Sequence, residues 1–153
     1  MSAVPKPDWS VMPMEIGDLE VVVRIESSVY AFPWTTGNFR DSLHAGYQCV
    51  VLRVDGAVAG YALQMYAVDE AHLLNITIMR AMQGRGHGSR LMQWLEDEAR
   101  SRRMGAVLLE VRPANGGAQA LYRRLGYEQI GVRRNYYPAA AGREDALILK
   151  KAL

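Results

Sequence analysis

Three glycines in five residues, Gly84, Gly86 and Gly88, stand between an apolar β-like segment and an amphipathic helical pattern. This stretch, Met82-Gln83-Gly84-Arg85-Gly86-His87-Gly88-Ser89, limits what the chain can become more than any other. Glycine lets the main chain approach a ligand closely, and the first amides of a helix point outward without partners. A glycine loop that opens a helix is therefore an anion site suited to a phosphate or pyrophosphate. Arg85 adds a positive charge. A plain tight turn between strand and helix is the bland alternative. A P-loop does not fit, because no Gly-Lys-Ser/Thr follows. A dinucleotide fingerprint fits in part: Gly84-x-Gly86-x-x-Ser89 nearly matches, and Glu110 lies about 20 residues on in a strand. Against it, four residues separate the strand from the first glycine, where the fingerprint wants a tight turn. The chain before the loop also reads as a helix pair and a meander, not as repeated βαβ units.

That reading comes from a pass along the chain. Residues 1–14 form a lead-in with a short strand over Val11 to Met14. Asp18 caps a helix running to about Tyr30, with Leu19, Val22, Val23 and Ile25 at helical spacing. Ala31-Phe32-Pro33-Trp34 breaks it. Thr35 or Thr36 caps a second helix that ends near Gly46. Tyr47 to Val54 and Ala57 to Val68 are strands joined by the hairpin signal Asp55-Gly56, and Ala71 to Met79 is a third. The period then changes. Gly86 to about Arg103 places Leu91, Met92, Leu95 and Ala99 on one helical face, with Gly105 as terminator. Ala106 to Val111 is a short buried strand. Asn115 caps a helix to Leu125, closed by Gly126. Tyr127 to Tyr137 and Asp145 to Lys150 are the last strands. The expected class is a mixed α/β (α+β) domain spanning residues 1–153: an antiparallel front half, then a β-α-β-α-β back half.

Composition narrows the function classes. The chain has 153 residues, half of them hydrophobic and 22% charged, which is a globular profile. A net charge of +2 is too small to make nucleic-acid binding the main task. The single cysteine, Cys49, permits no internal disulfide, and no apolar run reaches the roughly 18 residues that span a bilayer. The N-terminus lacks a signal-peptide core, so a cytoplasmic protein without membrane contact is expected. His44, His72 and His87 lack metal-ligand spacing, and no metal is expected.

The spacing Gln83-x-x-Gly86-x-Gly88 resembles the acetyl-coenzyme A signature of the GCN5-related N-acetyltransferase (GNAT) superfamily. The back half extends the resemblance: Leu109-Glu110-Val111-Arg112, Asn115, Ala120-Leu121-Tyr122 and Leu125-Gly126-Tyr127 follow at the family's spacing. Arg133-Arg134-Asn135-Tyr136-Tyr137-Pro138, Gly142-Arg143-Glu144-Asp145-Ala146 and Ala31-Phe32-Pro33-Trp34 are similar to segments of its RimI subfamily. That subfamily acetylates the N-terminus of a bacterial ribosomal small-subunit protein. The resemblance covers roughly residues 15–150. It implies a mostly antiparallel sheet of six or seven strands flanked by about four helices, acetyl-coenzyme A as co-substrate, and the N-terminal α-amine of that ribosomal protein, an alanine, as acceptor. Two departures stand out. Gly84 follows Gln83 where the family often has arginine, and Met79-Arg80 replaces the usual Asp-Pro, a surface change.

Acetyl transfer needs a base for the amine, donors for the thioester oxygen and a proton for the leaving thiolate. Glu110, in an apolar strand, is the candidate base, with burial expected to raise its pKa. Its bland reading is a carboxylate paired with Arg112 or another arginine. Tyr122 is the candidate acid or else a half-buried helix tyrosine. The resemblance assigns the matching residues as proton acceptor and proton donor. It further implies coenzyme contacts from the main chain of Ile76, Thr77 and Ile78, from Gln83, Gly84, Arg85, Gly86, His87, Gly88 and Ser89, and from Asn115. Phe32, Trp34, Tyr136 and Tyr137 form the acceptor wall on the same ground. An α-amine, with a pKa of about 7.7–8.0, is easier to deprotonate than a lysine at about 10.4. A lysine or small-amine acetyltransferase is the alternative within the class, and a non-catalytic acyl-coenzyme A sensor the alternative outside it.

Overall fold

The computed structural model describes residues 8–153, so residues 1–7 of the expected lead-in lie outside it. Seven strands are present: β1 (Trp9–Pro13), β2 (Gln48–Val54), β3 (Ala57–Ala67), β4 (Glu70–Ile78), β5 (Ala106–Val111), β6 (Glu128–Ala139) and β7 (Gly142–Ala152). Four α-helices accompany them: α1 (Leu19–Val29), α2 (Thr36–His44), α3 (His87–Ser101) and α4 (Gly116–Arg124). The strands form one sheet in the order β1-β2-β3-β4-β5-β7-β6. Every neighbouring pair is antiparallel except β4 with β5.

Local chemistry accounts for most of these elements. Thr35 accepts from the Asn38 amide while the Asn38 side chain accepts from the Thr35 amide, a reciprocal cap that starts α2. Asp55 and Gly56 both take positive φ, 51° and 82°, as the two-residue hairpin between β2 and β3 demands. On α3, Leu91, Met92, Leu95 and Ala99 are fully buried, as their spacing predicts. Two caps differ from expectation. The Asp18 side chain accepts from the Glu15 amide at 2.8 Å and from Arg53 at 3.3 Å, closing a 3-10 turn before α1 instead of capping the helix. Helix α3 ends before Gly105: Arg103 takes the left-handed position (φ 61°), and the Met104 amide reaches back to the Ala99 carbonyl. Gly105 instead hydrogen-bonds to Asp69 and Leu153. The two final strands are longer than their apolar cores suggest, and meet in a tight turn at Ala139 and Gly142.

The sheet is packed on both faces. One face, with Leu52, Ala62, Leu73, Val107, Leu109 and Leu149, meets α3 and Tyr122 of α4. The other, with Val51, Tyr61 and Leu63, meets Leu19, Val22 and Ile25 of α1 and Phe39 of α2. Two buried carboxylates tie the layers together. Glu96 of α3 accepts from Tyr127 and Lys151, both at 2.8 Å. Glu26 of α1 accepts from Tyr61 at 2.8 Å, Asn75 at 3.0 Å and the Trp34 amide at 2.9 Å. Glu96 is paired with Lys151, and removing one partner of a buried ion pair costs about 3–5 kcal/mol, because a charge is left without compensation.

The site is set by a break in the sheet. β4 and β5 pair only over Glu70–Leu73 with Ala106–Leu109. Beyond those rungs β4 follows β3 to Ile78, while β5 follows β7 to Val111. A register shift opposite Leu63 and Gln64 puts one extra β4 residue, Leu74, into the β3–β4 ladder at the same place. Such a bulge turns its strand. The two central strands therefore part like a wedge, and their inner edges lose their ladder partners.

Candidate active site

Two cavities open from the wedge. The larger, about 880 Å³, runs from the free edge of β4 to the glycine loop and the start of α4. The smaller, about 360 Å³, lies toward α1 and the β6–β7 hairpin. Tyr30, Ile76, Arg112, Asn115, Ala118 and Tyr122 line both.

At the far end of the larger cavity the glycine loop has the geometry its sequence implied. Gly84 and Gly86 carry φ of 76° and 85°. The first backbone hydrogen bond of α3 is donated by Arg90 to Gly86, so the amides of His87, Gly88 and Ser89 have no partner within the helix. These residues line the cavity together with Gln83, Gly84 and Gly86. A Cβ at Gly88 would lie 3.5 Å from Leu121, which brings α3 and α4 close together. Arg85 is not among the lining residues, and its guanidinium sits 3.8 Å from Met82 Sδ. Arg80 and Arg124 stand on the walls instead. Arg80 also donates to the Ser28 and Val29 carbonyls at 2.8 and 3.1 Å, which satisfies the C-terminus of α1. The Met79-Arg80 departure thus has a structural role that surface position alone did not suggest.

At φ 85° a side chain on Gly86 strains the backbone locally, and since its Cβ would meet nothing within 4 Å the core is undisturbed. Gly86→Val is expected to remove measurable acetyl-coenzyme A binding in calorimetry while the cooperative thermal transition survives. Unchanged affinity would contradict a phosphate role for this loop.

Along the free edge of β4, alternate residues differ in role. The Thr77 carbonyl points to β3, since a Cβ at Gly60 would meet it at 2.4 Å. The carbonyls of Ile76 and Ile78 face the wedge. They are approached by Tyr30 Oη at 3.2 Å and Gln83 Nε2 at 2.9 Å. Ile76 and Ile78 therefore leave main-chain groups facing the wedge, as an open sheet edge does. Thr77 contributes only its buried hydroxyl, 2.8 Å from Tyr30 and donating to Asn75 at 2.9 Å.

Glu110 and Tyr122 both face the smaller cavity. Asn115 caps α4 by accepting from the Ala118 amide at 3.1 Å, and this cap starts the helix that carries Tyr122. Tyr122 is 7% exposed and its ring meets Tyr127 edge-on at 5.8 Å. Burial, with smaller contributions from Tyr30 and Tyr137, pushes its pKa well above the usual tyrosine value. Glu110 departs from expectation. Burial pushes its carboxyl up, but a hydrogen bond from His72, the charge of that imidazole and the charge of Arg133 outweigh it, and the pKa falls below the ordinary value. His72 Nε2 is 2.7 Å from Glu110 Oε2, and Arg133 is 3.6 Å from Oε1. Arg112, the nearer arginine in sequence, pairs with Glu144 at 3.2 Å and donates to the Pro138 carbonyl at 2.8 Å. Sequence reasoning missed His72 because its partner is 38 residues away on a parallel neighbour.

The aromatic wall is partly assembled. Phe32, Trp34 and Tyr137 line the smaller cavity; Tyr136 does not. Tyr136 is exposed, packs edge-on to Tyr137 at 4.8 Å and lies under the Arg133 guanidinium. Tyr30, Glu26 and Asn75 are lining residues that carried no sequence signal of their own. Among the described residues there is no group of three His, Cys, Asp or Glu placed to hold a metal, and no helix is long and apolar enough to cross a membrane.

A wedge between two central strands, an unpaired strand edge and a glycine loop at a helix start meet in one cleft. Residues 19–127 match the model of the acetyltransferase (GNAT) family, and the chain belongs to that family, whose enzymes use acetyl-coenzyme A. Among curated relatives, the [ribosomal protein bS18]-alanine N-acetyltransferase of Escherichia coli strain K12 is 37% identical over 140 residues, covering 92% of this chain and 95% of the relative. The protein of the same description from Salmonella typhimurium is 39% identical over 132 residues, covering 86% and 89%. The crystal structure of the Escherichia coli ribosomal-protein-S18-alanine N-acetyltransferase superposes with a TM-score of 0.87 at 36% identity, covering 95% of this chain and 94% of that one.

Proposed function

We propose that this chain transfers an acetyl group from acetyl-coenzyme A to the N-terminal α-amine of a ribosomal small-subunit protein, an alanine, by direct attack, with Glu110 as base and Tyr122 as acid. The observation that carries this reading is that both side chains face one small cavity beside the free edge of β4. The pantetheine arm lies along Ile76 and Ile78, its pyrophosphate against the amides of His87, Gly88 and Ser89, and the thioester at the narrow end of the wedge. The acceptor enters past Phe32, Trp34 and Tyr137.

Glu110 takes a proton from the terminal ammonium, and the neutral amine attacks the thioester carbonyl. As the tetrahedral intermediate collapses, the C–S bond breaks, Tyr122 donates its proton to the departing sulfur, and the second proton lost by the attacking nitrogen restores the tyrosine. The raised pKa of Tyr122 keeps the hydroxyl protonated until thiolate charge develops beside it. The substrates of the relatives support the choice of acceptor, and so does the lower basicity of an α-amine relative to lysine. Mass spectrometry of small-subunit ribosomal proteins from cells with and without the gene tests it. One protein whose N-terminal alanine carries an acetyl group only when the gene is present is the expected result. An unchanged set of N-termini would sink the reading.

A further inference from the structure

Tyr30 ends α1 in an extended conformation, its amide donating to the Glu26 carbonyl at 3.0 Å. Its side chain stands where the two cavities join and belongs to the wall of both. The hydrogen of its hydroxyl is already committed. Thr77 donates its own hydrogen to Asn75 Oδ1 at 2.9 Å, so its oxygen, 2.8 Å from Tyr30 Oη, can only accept there. The Ile76 carbonyl, 3.2 Å from the same hydroxyl, is an acceptor as well. Asn75 in turn donates to Glu26 at 3.0 Å, which fixes the orientation of its amide. The donors of Tyr30, Thr77 and Asn75 thus run one way, toward the Glu26 carboxylate. What Tyr30 Oη has left to offer the cavities is a lone pair. Burial, together with the Glu26 charge, outweighs the Thr77 hydrogen bond and holds Tyr30 above the ordinary tyrosine pKa, so the hydroxyl keeps its hydrogen. Charge indicates which ligand brings the matching donor. Arg80, Arg124 and the loop amides give the larger cavity a cationic wall. The smaller cavity has Glu26 and Glu110, while its Arg112 is paired with Glu144. A positively charged N–H donor belongs on that side.

We infer that Tyr30 Oη accepts a hydrogen bond from the attacking nitrogen of the acceptor and so orients the amine for transfer. The inference rests on the reading of the chain as an α-amine acetyltransferase with Glu110 and Tyr122 in their proposed roles. The terminal ammonium of an alanine carries three hydrogens. One goes to Glu110, and a second restores Tyr122. The third stays on nitrogen throughout and becomes the hydrogen of the product amide. That third hydrogen is the one Tyr30 holds, so no proton moves through Tyr30 and the bond persists from ammonium to product.

The test is Tyr30→Phe, assayed with an N-terminal-alanine peptide and with the same peptide beginning in N-methylalanine, which lacks the third hydrogen. For the alanine peptide kcat/KM should fall by about tenfold or more, as for a lost hydrogen bond to a charged group. For the N-methyl peptide, already slow with the parent chain, the same substitution should change little. A purely structural role for Tyr30 would lower both by the same factor. That result, or an unchanged kcat/KM for the alanine peptide, overturns the inference and leaves the proposed function standing. Affinity for acetyl-coenzyme A in calorimetry should match that of the parent chain; a loss there assigns the hydroxyl to the pantetheine arm and also overturns the inference. If the variant does not fold, the parent chain decides: it should acetylate the N-methyl peptide less efficiently than the alanine peptide by about tenfold or more, and equal efficiency contradicts the hydrogen bond. A parent chain that acetylates neither peptide overturns the proposed function and the inference with it.

Discussion

Glu110→Gln should lower kcat for an N-terminal-alanine peptide by roughly 10²–10⁴-fold, the usual cost of losing a general base. The amide matches the carboxyl in shape, so the β5 strand and its neighbours stay in place, and affinity for acetyl-coenzyme A, whose predicted contacts lie on β4 and the loop, should be unaffected. The same substitution has a signature in stability. The folded pKa of Glu110 lies below its ordinary value, because His72 and Arg133 outweigh burial. Its ionised form therefore stabilises the fold above the ordinary carboxylate range, and that contribution disappears as pH falls through the lower folded value. The parent chain should lose stability in acid more steeply than Glu110→Gln when both are followed by denaturant unfolding. Near-parent turnover by the variant would return Glu110 to the bland reading of a carboxylate paired for structure.

Tyr122→Phe should lower kcat by a factor in the same range of about 10²–10⁴. Only the hydroxyl is removed. The ring stays packed edge-on against Tyr127, so the change leaves the core and α4 intact. A free thiol has a pKa of about 8.5 and a free tyrosine about 10, so full proton transfer to sulfur is unfavourable unless the thiolate is itself poorly solvated. The buried site near Tyr122 provides that condition, since burial, which raises the tyrosine, also disfavours a thiolate charge beside it. A thioester with a more acidic leaving thiol should lose much less rate than acetyl-coenzyme A when Tyr122 is replaced. Equal losses for both thioesters would argue against proton donation by this hydroxyl.

Much of this arrangement was legible in the sequence, for identifiable reasons. Thr35, Asp55-Gly56, Asn115 and the Leu91-to-Ala99 stripe act over a few residues, so local chemistry alone specifies them. The glycine loop is legible for the same reason: its function is a property of backbone conformation and helix start. The pairing of β7 between β5 and β6 was not, because it depends on which edge receives the last hairpin. Nor was the partner of Glu110. Arg112 shares its strand face, yet register across the sheet delivers His72 and Arg133 to the carboxylate and sends Arg112 to Glu144. The sign of the pKa change reversed with those partners. Arg103 replaced Gly105 as the left-handed residue after α3 because the Met104 amide finds the Ala99 carbonyl there, leaving Gly105 free to bond across to Asp69 and Leu153. Tyr30, a neutral residue at the end of α1, gained importance only when the fold placed its hydroxyl at the β4 edge.

The account turns on the acceptor being a terminal α-amine delivered to Glu110. A competition assay with limiting acetyl-coenzyme A tests that directly. The competitors are a peptide with a free N-terminal alanine, the same peptide blocked at its terminus but containing lysine, and a polyamine. Acetylation of the free alanine α-amine in large excess over the other two is the predicted result. Preferential acetylation of the blocked lysine peptide or the polyamine would contradict it.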